Sequence, residues 1–208
     1  MIRTLLVLMF LMGVNVYADS FDDALKAYNN GDKKTAAKLW TKSCDNGQTG
    51  GCHNLGLLYF NGWGVHQDKQ KAVKLYSKAC DGEYMDSCYN LGVSYRDGDG
   101  VRQNKQKAAK LFSKSCDGGY MAGCYNLGVL YRDGDGVRQD KQQAVKLYTK
   151  ACNGGNMDGC YNLGVLYYKG SKSIHQDKQK AKQLFGKACD GGSQSGCKGY
   201  RILNEQGY

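Results

Sequence analysis

The chain has 208 residues, among them 29 Gly and 10 Cys but no Pro. Charged residues are 23% and hydrophobic residues 41%, which excludes wholesale disorder and supplies enough apolar side chain for a core. The net charge is +10, and Glu83 and Glu205 are the only glutamates, so paired-glutamate chemistry has little to draw on. An even and unusually high cysteine count calls for disulfides or metal.

At the N-terminus, Arg3 precedes an apolar run from Leu5 to Val14, followed by Val16, Tyr17 and Ala18. This order reads as a signal peptide over residues 1–18, cleaved after Ala18. The run is short of the roughly 20 residues a membrane-spanning helix needs. No later stretch is apolar enough to anchor the chain, so the mature protein, residues 19–208, is expected to be secreted or periplasmic. Export favours paired thiols, and a secreted basic chain is a poor nucleic-acid binder despite its charge.

The cysteines fall in pairs at 44/52, 80/88, 116/124, 152/160 and 189/197, each C-x7-C. First members recur every 36 residues, with 37 at the last step. Such a period marks a repeat architecture. After a capping hairpin over 21–47, the repeats are 48–83, 84–119, 120–155 and 156–192, and residues 193–204 form a closing helix. Within a repeat, Leu127, Gly128, Leu130 and Tyr131 lie on one face of a first helix. The turn Asp133-Gly-Asp-Gly136 follows. Asp140 is placed to cap a second helix whose stripe is Ala144, Val145, Leu147, Tyr148, Ala151 and Cys152. Asn153-Gly154-Gly155 stops it. The fold class is therefore all-α, a solenoid of stacked helix-turn-helix units. Gly56, Gly92, Gly128 and Gly164 sit inside first helices, where each costs about 1 kcal/mol against Ala. Close approach of the second helix is the expected compensation.

Two cysteines eight residues apart on one straight helix would stand about 12 Å apart, too far for a disulfide. The chain must reverse between them, and the Gly-rich stops supply the reversal. The expected bonds are Cys44–Cys52, Cys80–Cys88, Cys116–Cys124, Cys152–Cys160 and Cys189–Cys197, each stapling one unit to the next. No metal site or cofactor is expected, because the metal-ligand spacings are missing.

The unit Asn-Leu-Gly-x-x-Tyr, then Gly-x-Gly-Val-x-Gln-Asp, then Lys-Ala-x-x-Leu-Tyr-x-Lys-Ala-Cys resembles the Sel1-like repeat, a relative of the tetratricopeptide repeat. With C-x7-C in every unit, it is similar to the Helicobacter cysteine-rich protein family of secreted, disulfide-rich Sel1-repeat proteins. The resemblance covers nearly all of residues 21–204. It implies a right-handed superhelix and an interaction scaffold. It also implies a β-lactamase label, resting on penicillin binding and slow hydrolysis.

Ser195-Gly-Cys-Lys198 is a formal S-x-x-K, but S-D-N and K-T-G do not occur in the chain. A catalytic set is therefore not identified. His53 aligns with Tyr89, Tyr125 and Tyr161, and His66 and His175 align with Arg102 and Arg138. All three histidines read as variants of surface positions. Asp97-Gly-Asp-Gly100 lacks the later ligands of a calcium loop and reads as a tight turn. The lysines opening the second helices (Lys69, Lys71, Lys105, Lys107, Lys178, Lys180) read as a solvated basic row, with attraction to anionic polymers or headgroups as the functional version.

The candidate binding site is the row Asn54, Asn90, Asn126 and Asn162 on the concave side of the first helices. Its amides can hydrogen-bond an extended peptide backbone. Tyr89, Tyr125 and Tyr161 would add stacking, and Arg96 and Arg132 charge. Trp63 and Phe60 make the N-terminal rim more aromatic, and an inserted residue near Ser171–Ser173 alters the last loop. The expected function is a monomeric secreted or periplasmic scaffold for a peptide, protein or cell-wall fragment. The alternative, from resemblance alone, is a β-lactam-binding hydrolase.

Overall fold

A computed structural model describes residues 21–208, so the expected leader at 1–18 lies outside the described residues. The chain divides into two units, Met1–Gln103 and Asn104–Tyr208. The first contains α1 (21–29), α2 (Lys33–Asp45), α3 (Thr49–Asn61), α4 (Lys69–Asp81) and α5 (Met85–Asp97). The second contains α6 (Lys105–Asp117), α7 (Met121–Asp133), α8 (Lys141–Asn153), α9 (Met157–Lys169), α10 (Lys178–Asp190) and α11 (Gln194–Glu205). Among the described residues the only extended pairing is an isolated bridge between Ser171 and Ile174.

In both units each helix packs on the next in sequence, α2 on α3 through α5 and α6 on α7 through α11. Odd-numbered helices from α3 to α9 are the first helices of repeats, and even-numbered ones are the second. The caps explain these boundaries. Asp32, Asp68, Asn104, Asp140 and Asp177 each accept a hydrogen bond from the amide three residues on, opening a second helix. Gly62, Gly98 and Gly134 close first helices in the left-handed conformation.

Five disulfides join Cys44–Cys52, Cys80–Cys88, Cys116–Cys124, Cys152–Cys160 and Cys189–Cys197, with Cα–Cα distances of 4.4 to 4.7 Å. Each links the last turn of a second helix to the first turn of the following helix. A loop of about nine residues gives about 2.6 kcal/mol of chain-entropy stabilisation per bond. Among the described residues there is no free cysteine. No described helix is long and apolar enough to cross a membrane.

The core of the first unit holds Ala36, Trp40, Leu55 and Leu58, and that of the second holds Ala144, Tyr148, Leu163 and Leu166. The helix-interior glycines act as notches in it. A Cβ at Gly56 would lie 2.7 Å from the Tyr76 ring, one at Gly128 2.7 Å from Tyr148, and one at Gly164 2.8 Å from Phe185. The second helix therefore lays an aromatic ring directly on the backbone of the first.

Candidate functional site

The expected row of asparagines is not uniform in its surroundings. In the first unit, Asn54 lines a cleft of about 210 Å³ with Leu25, Tyr28, Trp40 and Leu57. Asn90 is half-buried, and its backbone carbonyl accepts from the Ser94 hydroxyl. In the second unit, Asn126 is 8% exposed and donates to the Ala122 carbonyl one turn earlier. Asn162 reaches across to the neighbouring repeat, where Nδ2 donates to the Tyr125 hydroxyl at 3.3 Å. The tyrosines have a common setting. Tyr125 packs on Tyr148 and Tyr161 on Phe185, with ring centroids 6.0 and 5.5 Å apart. Tyr89 is half-buried.

Arg96 and Arg132 are each clamped by the next residue. Arg96 donates twice to Asp97 at 2.8 Å, and Arg132 twice to Asp133 at 2.7 Å. Hydrogen bonds from the guanidinium hold the Asp97 and Asp133 carboxyls below the ordinary carboxylate range. Arg132 also interacts electrostatically with Tyr125 and Tyr148. Thus Asn162 and Tyr125 meet directly in the second unit, and Arg132 lies within electrostatic range of Tyr125. The Tyr148 hydroxyl is buried with no hydrogen-bond partner among the described residues, and burial pushes its pKa up.

His53 corrects the surface reading. It is 7% exposed, with Nδ1 2.8 Å from the Ser87 hydroxyl and its ring 4.7 Å from that of Tyr84. Burial lowers its pKa, opposed by Asp86. The reason is positional: in first helices this register faces the aromatic of the second helix, here Tyr76 at 6.1 Å. His66 and His175 are exposed. Among the described residues no cluster of His, Cys, Asp or Glu could hold a metal ion.

The basic row is not simply solvated. Lys69 pairs with Asp99 at 2.6 Å and Lys105 with Asp135 at 2.9 Å, each reaching the turn of the next repeat. At the equivalent places Lys33 lies over the Trp63 ring at 4.8 Å, and Lys178 donates to the Tyr208 hydroxyl at 3.1 Å. Trp63 thus substitutes a cation–π contact for an ion pair. A second ladder joins Lys71 to the Tyr59 hydroxyl at 2.7 Å and Lys180 to the Tyr167 hydroxyl at 3.0 Å. The Asp-Gly-Asp-Gly turns serve this stacking. Gly100 has φ +70°, and a side chain there would collide with the Lys69 backbone.

Ser195 and Lys198 line one groove of about 320 Å³ with Tyr161, Phe185 and Ile202. Both are exposed, and among the described residues no hydrogen bond joins them.

The Sel1 repeat family model matches residues 9–48, 50–84, 86–120, 122–156 and 158–193. Comparison with curated proteins gave no match. Among solved structures, Helicobacter pylori cysteine rich protein B is 36% identical, with a TM-score of 0.51 over 64% of this chain and 94% of its own. The c5321 protective antigen of uropathogenic Escherichia coli, which displays an SLR fold, is 24% identical with a TM-score of 0.84 over 91% of this chain. The chain spans only 42% of that antigen. A Sel1 repeat protein from Oxalobacter formigenes is 22% identical, with a TM-score of 0.79 over 90% of this chain and 85% of its own.

Proposed function

Because the chain belongs to the Sel1 repeat family, whose repeats generally mediate protein interactions, we propose that its second unit holds an extended segment of a partner protein along the face of the first helices α7 and α9. The observation that carries this reading is the contact of Asn162 with the Tyr125 hydroxyl. It sets an amide and a phenol together at one step between repeats, with a guanidinium in electrostatic range. Asn162 can exchange that single 3.3 Å bond for bonds to a peptide backbone, since its amide carries both donors and an acceptor. The Tyr125 and Tyr161 rings offer apolar area between such anchor points.

Five disulfides fit an oxidising compartment outside the cytoplasm, and a secreted or periplasmic location accords with the leader read from residues 1–18. The scaffold works as a monomer in this reading. The test is to select peptides from a displayed random library against the oxidised protein, then measure their affinity for Asn162→Ala and Tyr125→Phe. Loss of binding in both supports the proposal, and unchanged affinity in both removes it.

A second reading, β-lactam hydrolysis, draws on one observation: Ser195 and Lys198 share a groove. Acylation of Ser195 needs a base to take its proton, and Lys198 is the only candidate in S-x-x-K register. Turnover of a chromogenic β-lactam that is abolished by Ser195→Ala would establish it. No turnover by the wild type would refute it, and turnover unaffected by that change would remove Ser195 as the nucleophile.

A further inference from the structure

The repeats are regular enough that a broken contact stands out, and two contacts break at the same cleft of the second unit. The first lysine of each second helix meets a partner about one repeat further on. Lys33 has Trp63, Lys69 has Asp99, Lys105 has Asp135 and Lys178 has Tyr208. Lys141 occupies the same place in α8, but the residue after the helix-closing glycine of the next repeat is Ser171. Among the described residues Lys141 has no ion-pair or hydrogen-bond partner. The second ladder fails there too. Lys71 and Lys180 bind the Tyr59 and Tyr167 hydroxyls, whereas the corresponding residue after Tyr131 is Gln143. The Tyr131 hydroxyl has no partner among the described residues.

The inserted residue completes the arrangement. The loop over 171–174 turns on the Ser171–Ile174 bridge, buries Ile174 and is tied to α8 through Gln142, whose Nε2 donates to the Ser173 carbonyl at 3.3 Å. It thereby walls a cleft of about 570 Å³ lined by Tyr131, Arg138, Lys141, Ser171, Lys172 and Ser173, among others. Three cations line it against one carboxylate, Asp140, whose Oδ1 is engaged in capping α8.

We infer that this cleft binds the phosphoryl group of an anionic ligand, with Lys141, Lys172 and Arg138 supplying charge and Ser171, Ser173 and Tyr131 supplying hydroxyl donors. At the other four places the lysine at this register meets an acid, an aromatic ring or a hydroxyl of the chain. Among the described residues Lys141 meets none of these, which leaves its charge available to an exogenous anion. A phosphoryl group suits the set because it carries up to two charges and three acceptor oxygens for several separate donors. The site uses none of Asn126, Asn162, Tyr125, Tyr161 and Arg132 and does not depend on the peptide reading.

The test is calorimetric titration of inorganic pyrophosphate into the full oxidised protein at low salt, about 25 mM, where surface charges are least screened. Three variants are compared with the wild type. Ser171→Asp installs the acid that Asp99 and Asp135 present to Lys69 and Lys105. Lys141→Ala/Lys172→Ala removes two of the cations. Lys34→Ala/Lys38→Ala removes the same charge from exposed positions on α2. The first two variants are expected to weaken binding at least about tenfold, and the third less than about twofold. The inference is overturned if pyrophosphate does not bind the wild type, or if the charge-matched α2 variant weakens it as much as the cleft variants. If Ser171→Asp fails to reach the wild-type circular dichroism spectrum, the Lys141→Ala/Lys172→Ala pair decides alone. Sedimentation with phosphatidylcholine vesicles, with and without phosphatidic acid, separates the sources of the group. Capture that needs phosphatidic acid and is lost in Ser171→Asp assigns a lipid headgroup. Pyrophosphate binding without capture assigns a soluble phosphorylated ligand.

Discussion

At Gly56 and Gly128 the Tyr76 and Tyr148 rings occupy the space that a Cβ would take. Those rings are 2% and 0% exposed and have nowhere to retreat. Gly128→Ala is therefore expected to destabilise by about 1–3 kcal/mol through overpacking, although Ala is the better helix former. Thermal denaturation measures it, and a melting temperature at or above wild type would refute the notch. His53 gives a second prediction at this scale. Its unfolded pKa is about 6.5, and burial lowers the folded value. Below pH 6.5 the unfolded chain thus binds a proton that the folded chain resists. The stability supplied by this site is full above that pH and declines as the pH falls through it. His53→Tyr, which installs the side chain found at 89, 125 and 161, should flatten the fall in melting temperature between about pH 7 and pH 5. An unchanged slope would place the titration elsewhere.

At the scale of the helix, the sequence reveals most of what is local. The capping residues, the glycine stops and the stripes that define α2 through α11 are written within windows of a dozen residues. The disulfides follow from them, because a reversal between Cys152 and Cys160 leaves the two thiols no nearer partners. What stays hidden joins residues about 30 apart. The pairing of Lys69 with Asp99, or of Lys33 with Trp63, depends on which turn of one repeat settles on which helix of the previous one. Periodicity does not encode that register. The burial of His53 was hidden for a related reason, since its aligned tyrosines tolerate a half-exposed ring. The staples also differ in protection. Cys44, Cys52, Cys80, Cys88, Cys116, Cys124, Cys152 and Cys160 are at most 2% exposed, while Cys189 and Cys197 are only half-buried. Under limiting reductant, Cys189–Cys197 should open first, because exchange needs access to sulfur. Alkylation followed by peptide mass mapping would detect it. First labelling at an interior pair would contradict this order.

At the scale of the molecule, a chain of repeats stabilised by nearest-neighbour contacts and local disulfides has little need of a single central core. Its surfaces then carry what each repeat contributes, together with the departures from repetition. The first-helix face belongs to the former, and the cleft at Ser171–Ser173 to the latter. The recurrence of the asparagines was legible, but their individual roles were not. Asn126 is held by its own helix, whereas Asn162 spans two repeats. The claim that this face grips extended peptide is tested most directly by fluorescence anisotropy of a library-selected peptide against the wild type, Asn162→Ala and Tyr125→Phe. The account predicts at least about a tenfold weakening in Asn162→Ala and a smaller one in Tyr125→Phe, which keeps the ring. Equal affinity for all three proteins would contradict it.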